Sequence, residues 1–154
     1  MLEIRSACPE DADELTTITR AAKASWGYPE EWLARWREVL TITPEFIQEN
    51  PVFVAVAEDG SLLGFVGLIR DTPARWTFEH LWIRPGSMGK GLGRMLTVHA
   101  ADFARSHGVE ELAIDAEPFA EPFYARMGAI RVGEVDAPID GQPRVRPQMV
   151  LRLR

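Results

Sequence analysis

Cysteine occurs once in the 154-residue chain, so no internal disulfide can form. The opening residues carry neither the basic start nor the apolar run of a secretory leader. Both features predict a cytoplasmic address. Cys8 has no nearby nucleophile-activating partner in sequence and reads as a small buried hydrophobe. No apolar stretch approaches the ~20 residues a membrane helix needs, which excludes a helical bilayer span. The three histidines are scattered without ligand spacing, so no metal is expected. Basic residues are also in the minority, 17 against 23 acidic ones for a net charge of −6. That balance argues against general affinity for nucleic acid or an anionic membrane and suits a cationic small partner. Arg144, Arg146, Arg152 and Arg154 gather near the C-terminus, but they alternate with Val145, Val150, Leu151 and Leu153 and read as exposed positions of a terminal strand.

What is present is a chain long enough for one domain burying roughly 70% of its unfolded surface. Its 46% hydrophobic and 26% charged residues are ordinary for a globular protein. No repeat or linker-like tract divides it. A short strand at residues 2–5 leads into a helix with Leu15, Ile18 and Ala22 at helical spacing. Pro29 starts a second helix carrying Trp32, Leu33, Trp36 and Leu40. Residues 51–57 and 62–69 are β-rich runs joined by Asp59-Gly60, the signature of a hairpin. In residues 76–83 both alternating faces carry apolar side chains, which predicts a central strand covered on both sides and places Glu79 out of water. A third helix with Leu92, Leu96, Ala100 and Phe103 on one face stops at Gly108. Strand 111–115, helix 118–127 ended by Gly128, and strands 129–135 and 148–153 complete the order β-α-α-β-β-β-α-β-α-β-β. This is an α/β (α+β) single domain, residues 1–154, with a mixed, mostly antiparallel six- to seven-stranded sheet and about four helices on both faces.

The most informative segment lies between strand 76–83 and the third helix. Residues 88–93 read Met-Gly-Lys-Gly-Leu-Gly, and glycines at every second position bare the backbone where N–H groups converge on a helix start, the usual way of holding a phosphate. It is not a Walker A loop, because Gly89-Lys90 is followed by Gly91 and not by the Ser or Thr that holds magnesium. It also departs from the Gly-x-Gly-x-x-Gly spacing of dinucleotide sites. It resembles the pyrophosphate loop of the GNAT N-acetyltransferase superfamily, Arg/Gln-x-x-Gly-x-Gly/Ala after a Val- or Ile-ending strand and a Pro. Ile83-Arg84-Pro85 precedes it at the expected interval, with Met88 where that family carries Arg or Gln. A second segment is similar to the family's Asn-x-x-Ala-x-x-Phe-Tyr with a glycine after the helix: Ala120, Phe123, Tyr124 and Gly128 match, and Glu117 stands at the Asn position.

The resemblance implies acetyl-CoA as co-substrate, with its pantetheine arm on the backbone of Leu81, Trp82 and Ile83. Its pyrophosphate would lie on amides of Met88, Gly89, Lys90, Gly91, Leu92, Gly93 and Arg94, with Ala120 and Phe123 near the cofactor. It also implies Tyr124 as the acid that returns a proton to the leaving thiolate. Packing of the Tyr124 ring with a hydrogen bond to some carbonyl is the structural alternative. Acetyl transfer needs a neutral amine, hence a base. Glu79, its pKa raised by burial, is the candidate, unless it merely pairs with Arg70 or Arg75. His80 competes with it, and strand alternation sends the two to opposite faces. His99 and His107 fall on the third helix at boundary or solvent positions. Trp26, Tyr28, Trp32 and Trp36, early in the chain, offer aromatic faces to a cationic acceptor or simply pack in the core.

The expected function is transfer of acetyl from acetyl-CoA to a primary amine of a small molecule or peptide, by direct attack in a ternary complex, with no metal, nucleic acid or membrane partner. A homodimer is a candidate assembly. The alternatives are a non-catalytic acyl-CoA sensor and a transferase using another acyl-CoA.

Overall fold

The computed structural model describes residues 2–153; Arg154, the last of the C-terminal arginines, lies outside them. Strands β1 (Glu3–Ser6), β2 (Val52–Val56), β3 (Leu62–Ile69), β4 (Arg75–Ile83), β5 (Glu111–Asp115), β6 (Ile130–Asp136) and β7 (Val145–Arg152) hydrogen-bond in the order β1-β2-β3-β4-β5-β7-β6. Among the described pairings only β4 with β5 is parallel. The α-helices among the described residues are α1 (Ala12–Ala24), α2 (Glu30–Arg35), α3 (Pro44–Glu49), α4 (Leu92–Ser106) and α5 (Glu121–Arg126). The mixed, mostly antiparallel sheet matches the expectation, with one helix more than predicted. The chain falls into two compact units, Met1–Leu68 with His80–Ala100, and Ile69–Glu79 with Ala101–Arg154.

In the first unit the predicted hairpin is β2–β3, with Gly60 at φ 89° in its turn. Residues 52–55 are all buried, so this pair carries apolar side chains on both faces. Leu15 and Ile18, three positions apart on α1, are fully buried with Val54 and Phe65 and form the centre of that core. α2 is shorter than the spacing predicted: regular helix ends at Arg35, and Leu40 joins through a bond from its N–H to the Trp36 carbonyl. α3 has no counterpart in the sequence expectation. The Thr43 hydroxyl accepts from the Phe46 N–H at 3.0 Å and Pro44 occupies the first turn, two start signals on a six-residue helix too short to show a period. Two reciprocal bonds join Thr16 Oγ1 to the Ile42 backbone, at 3.1 and 2.8 Å, and tie α1 to the chain just before α3.

In the second unit β5 alternates cleanly, burying Leu112 and Ile114, and β7 buries Met149 and Leu151 in the same register. β4 contributes Trp76 and Phe78 to that buried face while Arg75 and Glu79 are exposed. The expectation of a strand covered on both faces is therefore corrected: the pattern Arg-Trp-Thr-Phe-Glu is a half-buried alternation, and only β4's later residues are partly covered on both sides. β6 is exposed along its whole length at the sheet edge, with a register shift at Arg131/Gly133.

The N-terminal cysteine also departs from expectation. Cys8 is exposed, and Asp11 accepts from both its backbone N–H, at 2.9 Å, and its thiol, at 3.5 Å. The hydrogen bond to Asp11 pushes the thiol pKa up, the opposite of what activates a nucleophile.

Gly64 on β3 is required by a close approach. A Cβ there would lie 2.7 Å from Ile83 Cδ1 and 2.8 Å from the Trp82 carbonyl oxygen, and the backbone oxygen cannot give way. Gly64→Ala is expected to destabilise the fold by about 1–3 kcal/mol in urea unfolding. Gly86→Ala, whose Cβ would meet open space, should change stability by less than about 0.5 kcal/mol.

Candidate functional site

The glycine loop belongs to the first unit. β4 ends at Ile83, a single 3-10 turn spans Pro85–Ser87, and α4 starts at Leu92. Gly89 and Gly91 sit at φ 76° and 84°, where an L side chain costs about 1–2 kcal/mol, so the glycines answer a backbone requirement. A Cβ on either would meet nothing within 4 Å, so both glycines face open space at the head of a 15-residue helix. The Met95 N–H closes the first helical ring on the Gly91 carbonyl at 3.1 Å. The N–H groups of Leu92, Gly93 and Arg94 then belong to the first turn, which helix geometry directs away from the helix body. Lys90 and Gly91 are exposed, whereas Met88 is half-buried and brings no charge to the loop.

β4 carries the next part. Its parallel ladder with β5 runs from Arg75↔Glu111 to Phe78↔Ile114, and Leu81, Trp82 and Ile83 follow at the end of the strand. On the other edge β3 comes close, with the Arg84 N–H bonded to the Leu63 carbonyl at 2.8 Å. The Trp82 indole N–H donates to His80 Nδ1 at 3.0 Å, and the His80 ring lies 5.3 Å from that of Phe46 and 6.0 Å from that of Phe65. Burial drives the His80 pKa down to about 4. The imidazole is neutral near pH 7 and its Nδ1 lone pair is already used, so His80 does not suit the role of competing base.

The second unit holds the two candidate catalytic side chains. Tyr124 is 7% exposed, its ring edge-on to Phe78 at 5.7 Å and to Phe123 at 5.3 Å. Its hydroxyl has no hydrogen-bond partner among the described residues, so the packing alternative lacks its carbonyl. Burial first, and the negative charge of Glu117 second, push the phenol above its ordinary range and keep it protonated. Glu79, expected to be shut from water, is instead exposed, because strand alternation puts it on the open face opposite Phe78. Partial desolvation nonetheless raises its pKa, helped by Asp115 and Asp71. The pairing alternative is not realised. Arg75 is paired with Glu111 at 3.5 Å and the Arg70 guanidinium lies 5.5 Å from the centre of the Trp76 ring.

One feature of this unit escaped the sequence. Arg144, expected on an exposed strand face, is 9% exposed in its side chain and pairs at 3.4 Å with Glu117, itself 10% exposed. Alternation misled here because Arg144 precedes β7, on the connection from β6. Arg146 behaves nearer to prediction, paired at the surface with Asp115 at 2.9 Å. Ala120 and Phe123 are half-buried around the start of α5. On α4, His99 packs against Phe53 at 4.6 Å and His107 is exposed. Among the described residues no cluster has the makings of a metal site, and no helix is long and apolar enough to cross a membrane.

The early aromatic cluster also has an occupant. Tyr28, Trp32 and Trp36 gather with centroids 5.0–6.1 Å apart. Lys23, buried at 8% exposure, places its ammonium 4.4 Å from the Trp36 ring centre and 5.1 Å from that of Tyr28. These aromatic faces already serve a cation of the chain itself.

Comparison with known proteins identifies the family and the fold. The sequence pattern of the Acetyltransferase (GNAT) family matches residues 13–129, and the chain belongs to that family. Streptothricin acetyltransferase of Streptomyces lavendulae is 40% identical over 84 residues, covering 52% of this chain and 44% of that enzyme. The chain thus spans less than half the length of that relative. Peptidyl-lysine N-acetyltransferase YjaB of Salmonella typhimurium is 29% identical over 147 residues, 93% of each chain. The crystal structure of PaiA N-acetyltransferase from Thermoplasma acidophilum in complex with coenzyme A superposes with a TM-score of 0.75 at 20% identity, covering 99% of both chains, and shows the same fold.

The buried histidine gives a pH signature. An unfolded histidine titrates near 6.5 and His80 near 4, so between those values the unfolded chain binds the extra proton. The stability held above about pH 6.5 is lost as pH falls toward 4, by about 3 kcal/mol for a displacement of that size. Urea unfolding at pH 7 and pH 4.5 should show this loss, and His80→Gln should flatten it; an equally steep fall in the variant would assign the loss to carboxylates.

Proposed function

We propose that residues 1–154 form one cytoplasmic N-acetyltransferase domain that moves the acetyl group of acetyl-CoA to a primary amine of a small molecule or peptide. The observation that carries this reading is the Tyr124 side chain, packed against Phe78 and Phe123 with no protein hydrogen-bond partner for its hydroxyl among the described residues. That hydroxyl is open to a ligand, and a thioester sulfur is the atom that needs its proton. The bare loop at Gly89 and Gly91 fits a diphosphate, for which no side chain beyond glycine is required. Lys90 and Arg94 add surface charge worth about 0.3–1 kcal/mol each.

In the proposed reaction the amine nitrogen attacks the thioester carbonyl, the C–S bond breaks, and the proton of Tyr124 passes to the departing sulfur. Glu79 takes the proton lost by the amine, directly or through water. Tyr124 packs against Phe78 while Glu79 faces the other way on β4. Primary amines are the acceptors named for the lysine-modifying relative, which supports the class proposed for this chain.

Isothermal titration should show saturable binding of acetyl-CoA and CoA, and free-thiol release should appear with at least one member of an amine panel. Binding without thiol release on any amine would favour a non-catalytic acyl-CoA module; absence of binding by folded protein would remove the reading altogether. Tyr124→Phe is expected to lower kcat about a hundredfold with cofactor affinity retained. Glu79→Gln should lower kcat/KM and abolish the acid limb of its pH profile, and an unaltered limb would exclude Glu79 as the base.

A further inference from the structure

We propose that β6 is a self-pairing edge: two copies of this chain join antiparallel through Ile130–Asp136, with Arg131 of each copy opposite Glu134 of the other. The inference is independent of the catalytic reading and draws on the second unit alone.

β6 is the last strand of the sheet, and all seven of its residues are exposed. Ile130, Val132 and Val135 are 58%, 62% and 40% exposed, on the kind of edge that proteins usually keep short or cover. The direction of its backbone groups follows from β7. The Pro147 carbonyl accepts from the Ala116 N–H at 2.9 Å, on the β5 side, and proline has no N–H to offer β6. Pro147 and, two residues on, Met149 therefore stand at non-hydrogen-bonded positions toward β6. Their partners Glu134 and Arg131 turn their own N–H and C=O away from β7, to the open edge. Those two residues are three apart because the register shifts between Arg131 and Gly133. Their side chains share one face and meet at 2.8 Å, while Ile130 and Val135, opposite Val150 and Arg146, share the other.

The segment Ile-Arg-Val-Gly-Glu-Val is complementary to itself when read against a reversed copy. About a two-fold axis between Val132 and Gly133, Arg131 meets Glu134 and Glu134 meets Arg131, each pair bringing two outward-facing backbones together. Four charges then alternate in sign on one face, where the in-chain contact of Arg131 with Glu134 already runs. On the other face Ile130 meets Val135 twice, beside the two exposed Val132 side chains, so the apolar surface of both edges is covered in one step. Competing registers fare worse. Setting Arg131 against Arg131, or Glu134 against Glu134, opposes like charges. Setting Arg131 against Asp136 leaves Glu134 facing Gly133, whose backbone, opposite Gln148, turns toward β7. The charges that would protect this edge from a foreign strand thus select a second copy of the same one.

The test exchanges the charges. Sedimentation equilibrium of the full chain should show a monomer–dimer equilibrium. Glu134→Arg makes both positions positive and Arg131→Glu makes both negative, so each variant alone should dimerise at least about tenfold more weakly. An equal mixture of the two variants restores opposite charges at every pair and should recover the dimer. No other surface of the molecule predicts that rescue. Hydrogen exchange in the unaltered chain gives a second reading: the Arg131 and Glu134 amides should be protected at high concentration and exchange freely on dilution. A dimer that neither substitution weakens, or a mixture that stays monomeric, would overturn the proposal. A monomer at every concentration would also overturn it and leave the edge to a strand of some other protein. If a charge variant does not fold by circular dichroism, the exchange measurement decides, and amides that exchange equally at both concentrations refute the pairing.

Discussion

The parallel ladder between β4 and β5 is four residues long, and the chemistry depends on where it stops. Up to Phe78 the backbone of β4 is committed to its neighbour; past it the strand continues to Ile83, where we propose that a ligand takes its edge. Backbone N–H and C=O groups are obligatory hydrogen-bonding groups, so an uncommitted edge is a template for a ligand with amides of its own. A pantetheine arm is such a ligand. The same point on β4 separates the two candidate proton-transfer groups, because Phe78 turns toward Tyr124 and Glu79 turns away. Had the ladder continued to Ile83, β4 would be an ordinary interior strand.

Much of this is legible in the sequence. Strand 111–115 matches its expectation in full, and the hairpin at Asp59-Gly60 and the helix after the glycine loop match theirs nearly to the residue, because each combines a strong period with a turn signal. The loop itself is legible because glycine at positive φ is a steric requirement that no other residue meets cheaply. What is lost follows from short range. α3 has too few residues for a period, and α2 frays where Trp36 turns toward Lys23. Cys8 is misplaced because the preference of cysteine for burial is an average, and here the cap by Asp11 decides. Glu79 is assigned to the interior by its apolar neighbours along the strand, whereas an open face depends on whether anything in the rest of the chain covers it. The pair Glu117–Arg144 joins residues 27 positions apart, and neither is unusual in its own stretch of sequence.

The aromatic cluster near the N-terminus shows how a plausible ligand site is spent on the fold. Trp and Tyr faces attract an ammonium, and the chain supplies its own: Lys23 lies on α1, while Tyr28, Trp32 and Trp36 follow on the next segment. α2 buries no residue fully, so it lacks the usual apolar anchor. The cation–π contacts, with the bond from Arg20 to Thr41 Oγ1 at 2.6 Å, bring the segment back onto α1. A cationic acceptor of the kind proposed would draw on other surfaces, such as the open face of β4, where Glu79 is exposed.

The two departures from the family pattern differ in kind for a physical reason. In the proposed site a side chain at the Met88 position would only supplement main-chain amides, whose setting follows from the positive φ of Gly89 and Gly91. Losing a cation there weakens an exposed, screened interaction. Glu117 is another matter, since it replaces a neutral amide by a charge at a nearly buried position next to the helix that bears the phenol. Arg144, carried in from the far connection, pairs with it at 3.4 Å, so the charge that the substitution brings is met within the protein itself.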